Sequence, residues 1–142
     1  MGNILMGDDG VSVEVLKIIK KELEENNIKI FAIETDINSL FSIIEEDDVV
    51  IFVDAMISSG KVGEVKAFKP NLPEQNEFFC HVYFPWNIIS KMAKEIYIIG
   101  IEVEDIDFKI GLSKKLQDEI YFIANKTLFL ITNILTNLNY KV

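Results

Sequence analysis

The hydrophobic pattern of the chain opens with an amphipathic helix. Between residues 11 and 26 apolar side chains recur at helical spacing, and lysines and glutamates fill the opposite side. Residues 28 to 33 then alternate between the two faces of the chain as a strand does, and residues 37 to 44 return to helical spacing. The first third of the chain is therefore predicted to form a helix, a strand and a short helix.

Two apolar strands are predicted in the middle of the chain. The run VVIFVD, residues 49 to 54, is continuously apolar up to its last residue, which is typical of a strand buried on both faces. The run IYIIGIEV, residues 96 to 103, is predicted to be a strand as well. Between them, residues 64 to 68 alternate like a strand, and residues 86 to 94 are predicted to form a helix.

The C-terminal part of the chain is predicted to be one long helix over residues 112 to 138, capped by Ser113. Its apolar side is formed by Leu116, Ile120, Ile123, Leu128, Ile131 and Leu135. Polar residues interrupt the run from 120 to 135, and the run falls short of the roughly 20 apolar residues that a bilayer requires. We therefore expect this helix to pack in a soluble core.

Alternating strands and helices predict an α/β fold, a three-layer sandwich with a mostly parallel twisted sheet and helices on both faces. In such folds a loop that opens a helix follows a strand, but only Met1 and Gly2 precede Asn3 here. We therefore expect the first strand to be missing or truncated. No linker, repeat or low-complexity tract divides residues 1–142, so a single domain is predicted.

The charge balance narrows the choice of partners. The chain has 14 Lys and Arg against 23 Asp and Glu, a net charge of -9. This charge argues against nucleic acid and against an anionic membrane surface, and favours metals and basic protein segments. The single cysteine, Cys80, cannot form an internal disulfide, and the N-terminus lacks a signal-peptide pattern. We expect a cytoplasmic protein that is monomeric when free.

Three segments supply candidate metal ligands. Asp8 and Asp9 stand between two glycines ahead of the first helix, with no basic residue nearby. Asp54 ends the VVIFVD strand, and ligands of parallel sheets gather at the carboxyl ends of the strands. His81 is the sole histidine and is expected to reach the same edge. Two carboxylates and an imidazole suit a divalent metal ion.

Ordinary structural roles compete with this hypothesis. Asp8 has the position of a helix N-cap, and a lone histidine such as His81 is usually packed or solvated. Neighbouring side chains point apart in an extended chain, so Cys80 and His81 do not form a thiol protease pair, and Cys80 is expected to be a small buried hydrophobe. The Ser58-Ser59 pair lacks the G-x-S-x-G elbow of serine hydrolases. The sequence therefore assigns no nucleophile.

Four motifs together resemble a known family. They are GNILMGDDG (2–10), IFVDA (51–55), CH (80–81) and IIGIEVEDIDFKIGLS (98–113). In this order they resemble the hydrogenase maturation proteases, endopeptidases that remove the C-terminal extension from the large subunit of nickel-iron hydrogenases. The resemblance spans nearly the whole chain, although each motif alone is weak. It implies a peptidase that acts on a hydrogenase large-subunit precursor.

The resemblance also implies a set of metal ligands. The metal-binding acid of the family falls on Asp9, its second acid on Asp54 and its histidine on His81, while Asp8 shapes the turn or caps the helix. The metal implied is nickel, carried by the substrate rather than held as a resident cofactor. Whether this metal also acts as a Lewis acid or supplies a bound hydroxide stays open.

Two other interpretations remain at this point. A response-regulator receiver also has two acids near its N-terminus, which hold magnesium, and a later aspartate, here Asp54, which accepts a phosphoryl group. Receivers need a lysine after their last parallel strand, and IYIIGIEVED, residues 96 to 105, contains none. The other alternative is a relative of the protease that binds its partner without cutting it, since a fold does not fix a function.

Overall fold

The computed structural model describes residues 1–33, 36–58, 60–70, 86–104 and 106–141. A 3-10 turn at Gly7–Gly10 precedes the first helix. The remaining elements, in chain order, are α1 (Val11–Glu25), α2 (Ile37–Ile43), β1 (Val49–Met56), β2 (Val65–Phe68), α3 (Trp86–Ile89), β3 (Glu95–Glu102) and α4 (Lys114–Asn137).

The three strands form one sheet with β3 in the centre. β1 runs parallel to β3, with Asp54 opposite Gly100, and β2 runs antiparallel along the other side of β3, with Ala67 opposite Ile99. An antiparallel edge strand on a parallel sheet is a common arrangement. The carboxyl ends of β1 and β3 therefore lie side by side at one edge of the sheet.

Helices cover both faces of this sheet. On one face α1 and α4 pack against each other and against side chains such as Val53 and Ile99. On the other face α2 and α3 contribute to a second apolar cluster, in which the Trp86 ring meets the Phe52 ring edge-on, with 5.5 Å between ring centroids. Because apolar layers lie on both sides, β1 and β3 need apolar residues at successive positions. The predicted α/β sandwich is confirmed.

The two long helices follow their predicted patterns. α1 buries an apolar stripe and ends where Asn27 takes a positive φ of 58°, a conformation that asparagine tolerates well. α4 buries Leu116, Ile123 and Ile131 on the side that faces the sheet. None of the helices within the described part of the chain has the length and apolar character needed to cross a bilayer.

The predicted strand at residues 28 to 33 is wrong. Ile28 and Ile30 are half-buried while Lys29 and Phe31 are exposed, so the side chains alternate as in a strand, but this segment joins no sheet among the described residues. A cavity of about 480 Å³ is lined by this segment and by β1, and we call it the β1 cavity. A strand needs a neighbour for its main-chain hydrogen bonds, and the side-chain pattern alone does not supply one.

The helix predicted over residues 86 to 94 is shorter than expected. α3 ends at Ile89, and the chain continues in tight turns, in which the amide N–H of Met92 donates to the Ile89 carbonyl at 3.0 Å. The Lys94 amide then donates to the Asp48 carbonyl at 2.9 Å, which fixes the entry into β3. The apolar spacing of this segment predicted helix, but its last residues turn to meet the start of the sheet.

Candidate functional site

The turn at Gly7–Gly10 places two carboxylates inside the protein. Asp8 is 4% exposed and Asp9 is 2% exposed. Gly7 has a φ of 57°, and its amide donates to the Lys109 carbonyl at 2.6 Å, which ties the turn to the segment before α4. Two buried acids in one short turn need partners nearby, since an unpaired buried charge is costly.

Asp8 holds the start of α4. Its Oδ1 accepts a hydrogen bond of 2.6 Å from the amide of Ser113, the residue that precedes α4. A negative charge is favourable at a helix N-terminus. Two expectations are corrected here. No side chain caps α1, whose N-cap position is Gly10. The Ser113 side chain makes no capping hydrogen bond either, and the Asp8 carboxylate instead holds the Ser113 amide from a distant part of the chain.

Asp9 has one satisfied and one unsatisfied oxygen. Its Oδ2 accepts a hydrogen bond of 2.7 Å from the Asn3 amide. Its Oδ1 is buried and has no hydrogen-bond partner within the described residues. Gly2, with a φ of 129°, allows this packing, because a Cβ on it would lie 2.2 Å from the main-chain oxygen of Asp9. A buried carboxylate oxygen without a partner is a ready ligand for a cation.

Asp54 lies near the carboxyl end of β1 and is 4% exposed. Its Oδ1 accepts a hydrogen bond of 3.0 Å from the Ala55 amide. The negative charges of Asp54 and Asp9 both act on the amino group of Met1. Burial lowers the pKa of that amino group, while the negative charges of Asp54 and then Asp9 raise it. The Met1 nitrogen donates to the carbonyl of Val53, and Gly2 packs against the main chain of Asp9, so Asp9 and Asp54 lie at the same end of the sheet.

The third predicted ligand, His81, lies outside the described residues, and so does Cys80. In the segments that are described, no group of three or more His, Cys, Asp or Glu side chains is arranged to hold a metal ion. Of the three predicted donors, the described residues therefore include two, the carboxylates of Asp9 and Asp54. Carboxylate oxygens alone suit hard cations, and an added imidazole shifts the preference toward metals such as zinc, copper and nickel.

Glu102 is a further buried acid that the sequence analysis did not single out. It ends β3 beside Met56 of β1 and is 1% exposed. Its carboxylate accepts two hydrogen bonds from Ser58, at 2.5 Å from the amide nitrogen and 2.6 Å from Oγ. The sequence contains a signal for this residue, because Glu102 is an acid at the end of an apolar strand, as Asp54 is.

The main chain of Glu102 holds the same loop between β1 and β2. Its amide donates to the Glu64 carbonyl at 2.8 Å, and its carbonyl accepts from the Gly63 amide at 2.9 Å. Gly60 packs so closely that a Cβ on it would lie 2.7 Å from Glu102 Oε2. Glu102 therefore fastens this loop at the edge of the sheet where Asp54 lies.

Comparison with known proteins defines the family of this chain. The family profile described as HycI, hydrogenase maturation protease, matches residues 13–129. This match covers most of the 142-residue chain. The chain belongs to the hydrogenase maturation protease family, and its class is that of an endopeptidase. Family membership decides against the receiver interpretation. Among curated proteins none matches the chain.

Solved structures of the same kind share the fold. The [NiFe] hydrogenase maturation protease HybD from Thermococcus kodakarensis is 22% identical with a TM-score of 0.68, over 91% of this chain and 93% of that one. HybD from E. coli is 16% identical with a TM-score of 0.69, over 93% and 88%. HycI from Thermococcus kodakarensis KOD1 is 23% identical with a TM-score of 0.66, over 95% and 88%.

Proposed function

We propose that this endopeptidase removes the C-terminal extension of a nickel-iron hydrogenase large-subunit precursor after nickel has been inserted, and that it recognises the bound nickel. The observation that carries the proposal is the buried Oδ1 of Asp9, which has no partner within the described residues and lies at the end of the sheet where Asp54 lies. In the proposal, Asp9, Asp54 and His81 hold the metal.

Nickel in this scheme belongs to the substrate. A coordination bond from Asp9 or Asp54 forms only with a precursor that already carries the metal, so it adds affinity for the loaded form alone. Carboxylate oxygens with one imidazole nitrogen suit nickel, which lies between hard and soft metals in its ligand preference. The site thus distinguishes nickel-loaded from nickel-free precursor.

The chain's own residues prepare this site. Asp8 fixes the Gly7–Gly10 turn to α4, so the Asp9 carboxylate is held by a rigid support. Asn3 holds one Asp9 oxygen and leaves the other for a ligand. Glu102 fastens the neighbouring loop through Ser58. Such support keeps a binding site in its working geometry. No side chain is assigned as nucleophile.

The test is trimming of a nickel-loaded precursor by Asp54→Asn and Asp9→Asn. Both variants keep the size of the side chain and remove its charge, so we expect folded proteins that leave the precursor uncut. Asp118→Asn is the matched control, because Asp118 is an exposed partner of Lys114 and surface ion pairs contribute little.

Electrophoresis of the precursor measures the result. Normal trimming by Asp54→Asn or Asp9→Asn would contradict the proposed site. A wild-type chain that binds the loaded precursor and leaves it uncut would instead identify a silent binding relative of the protease.

A further inference from the structure

Four large apolar side chains are exposed to solvent beside the turn that carries Asp9. Ile4 and Leu5 are exposed, and Phe108 and Ile110 are 82% and 83% exposed. We call these four residues the apolar rim. Single apolar residues are ordinary at a protein surface, but a contiguous group of large ones marks an interaction site.

The main chain holds the two halves of the apolar rim together. Met6 and Lys109 form an isolated parallel bridge. Leu5 directly precedes Met6, and Lys109 stands between Phe108 and Ile110. The four side chains therefore form one surface on a fixed backbone, and a partner that binds them does not have to order two loops first.

The apolar rim is continuous with the turn that holds the predicted metal ligand. The Asn3 amide, which donates to Asp9 Oδ2 at 2.7 Å, belongs to the residue directly before Ile4. On the other half, the Lys109 carbonyl accepts from the amide of Gly7, the first residue of that turn. A protein that brings a metal ion to Asp9 from outside therefore passes close to the rim.

A groove of about 410 Å³ between α1 and α4 extends this surface. Ile4 lines it together with Ile18 of α1 and Ile120 of α4. Among the described residues of its lining, the charged one is Glu14, whose carboxylate lies 2.7 Å from Lys17 Nζ. Because that charge is already paired, the groove fits an apolar segment of a partner better than a basic one.

We propose that the apolar rim and this groove dock an apolar segment of the nickel-iron hydrogenase large-subunit precursor while the precursor's nickel lies against Asp9 and Asp54. This inference rests on the proposed function, which names that partner. Apolar contacts do not sense the metal, so the rim adds the same affinity for nickel-loaded and nickel-free precursor. The two carboxylates, in contrast, add affinity for the loaded form alone.

The test is the affinity of a double variant, Phe108→Ala with Ile110→Ala, for both forms of the precursor. Both side chains are exposed, so we expect this variant to fold as the wild-type chain does. Isothermal titration should show about tenfold weaker binding of loaded and nickel-free precursor alike, with the ratio between the two affinities unchanged. The matched control is Phe129→Ala, which should keep both wild-type affinities, because Phe129 is an exposed aromatic residue of α4 that does not line the groove.

Other results have separate meanings. Unchanged affinity of the double variant for both forms would overturn the docking surface, as would an equal loss in Phe129→Ala. A loss confined to loaded precursor would also overturn it, because the rim would then act through the metal site. If the wild-type chain bound both forms equally, nickel recognition would fail, while a loss of affinity in the double variant would still support the docking surface.

A second copy of this chain is the other candidate occupant of the apolar rim. Sedimentation velocity at increasing protein concentration detects it. We expect the wild-type chain and the double variant to sediment alike. Wild-type dimers that dissociate in the double variant would assign the rim to a second copy and would overturn the proposal.

Discussion

Asp8 and Asp9 are neighbours in the chain, but their carboxylates serve different parts of the molecule. Asp8 bonds the start of α4, and Asp9 keeps one oxygen free at the end of the sheet among the described residues. The sequence indicated that both acids lie in a turn near a site, because two glycines flank them. It could not indicate the partner of Asp8, since Ser113 is 105 residues away.

Replacement of Asp8 tests its structural role. In Asp8→Ala the Ser113 amide loses its acceptor, so we expect the free energy of unfolding to fall by about 1–3 kcal/mol. Urea denaturation measures the change. The control is Asp118→Ala at an exposed ion pair, for which we expect less than about 1 kcal/mol. Equal stability of Asp8→Ala and the wild-type chain would show that the bond to α4 contributes nothing.

Replacement of Glu102 tests the fastening of the loop between β1 and β2. Glu102→Ala removes the acceptor of both Ser58 donors, and we expect the loop to open more often. Lys61 lies in this loop and is exposed, so trypsin cleavage after Lys61 measures that opening. We expect faster cleavage in Glu102→Ala than in the wild-type chain. The exposed Glu104→Ala is the control, and equal rates in both variants would remove Glu102 from this role.

At the scale of secondary-structure elements, long apolar patterns were sufficient for prediction. α1, α4, β1 and β3 bury most of the residues that their spacing indicated, because the helical and strand periods repeat over many positions. The exceptions are Ile18, which is exposed, and Ile120 and Leu128, which are half-buried. Residues 28 to 33 have the side-chain pattern of a strand but pair with no strand among the described residues. Such pairing depends on residues that are distant in the sequence. α3 stopped early because the next residues must turn into β3. Local pattern predicts an element, and tertiary contacts decide its ends.

Two turns contain glycines with the same backbone conformation, so their substitutions can be compared directly. Gly63 and Gly111 both have a φ of 86°, a conformation that costs an L-residue about 1–2 kcal/mol. A Cβ on Gly63 would lie 2.7 Å from Glu119 Oε2, while a Cβ on Gly111 would meet nothing within 4 Å. We therefore expect Gly63→Ala to lower the free energy of unfolding more than Gly111→Ala does.

Chemical denaturation of both variants measures the difference. Because the Glu119 side chain is flexible at its end, the combination Gly63→Ala with Glu119→Ala should approach the loss seen in Gly111→Ala. A loss in Gly111→Ala that matches or exceeds the loss in Gly63→Ala would show that the backbone conformation outweighs the contact with Glu119.

At the scale of the whole molecule, the sequence predicted the sandwich and the edge where Asp9 and Asp54 lie. The rule that ligands gather at the carboxyl ends of parallel strands was enough to predict the position of Asp54. The same rule covers β3, whose carboxyl end carries the buried Glu102. The net charge of -9 and the match to hydrogenase maturation proteases agree with a protein partner rather than nucleic acid.

The most direct measurement of the central claim compares the affinity of this chain for nickel-loaded and nickel-free precursor. Isothermal titration of both forms with the wild-type chain should give a ratio of at least about tenfold in favour of the loaded form. Asp54→Asn should bring this ratio close to one, and Asp118→Asn should keep it. The same preference for loaded precursor in Asp54→Asn and in the wild-type chain would contradict the assignment of Asp54 as a nickel ligand.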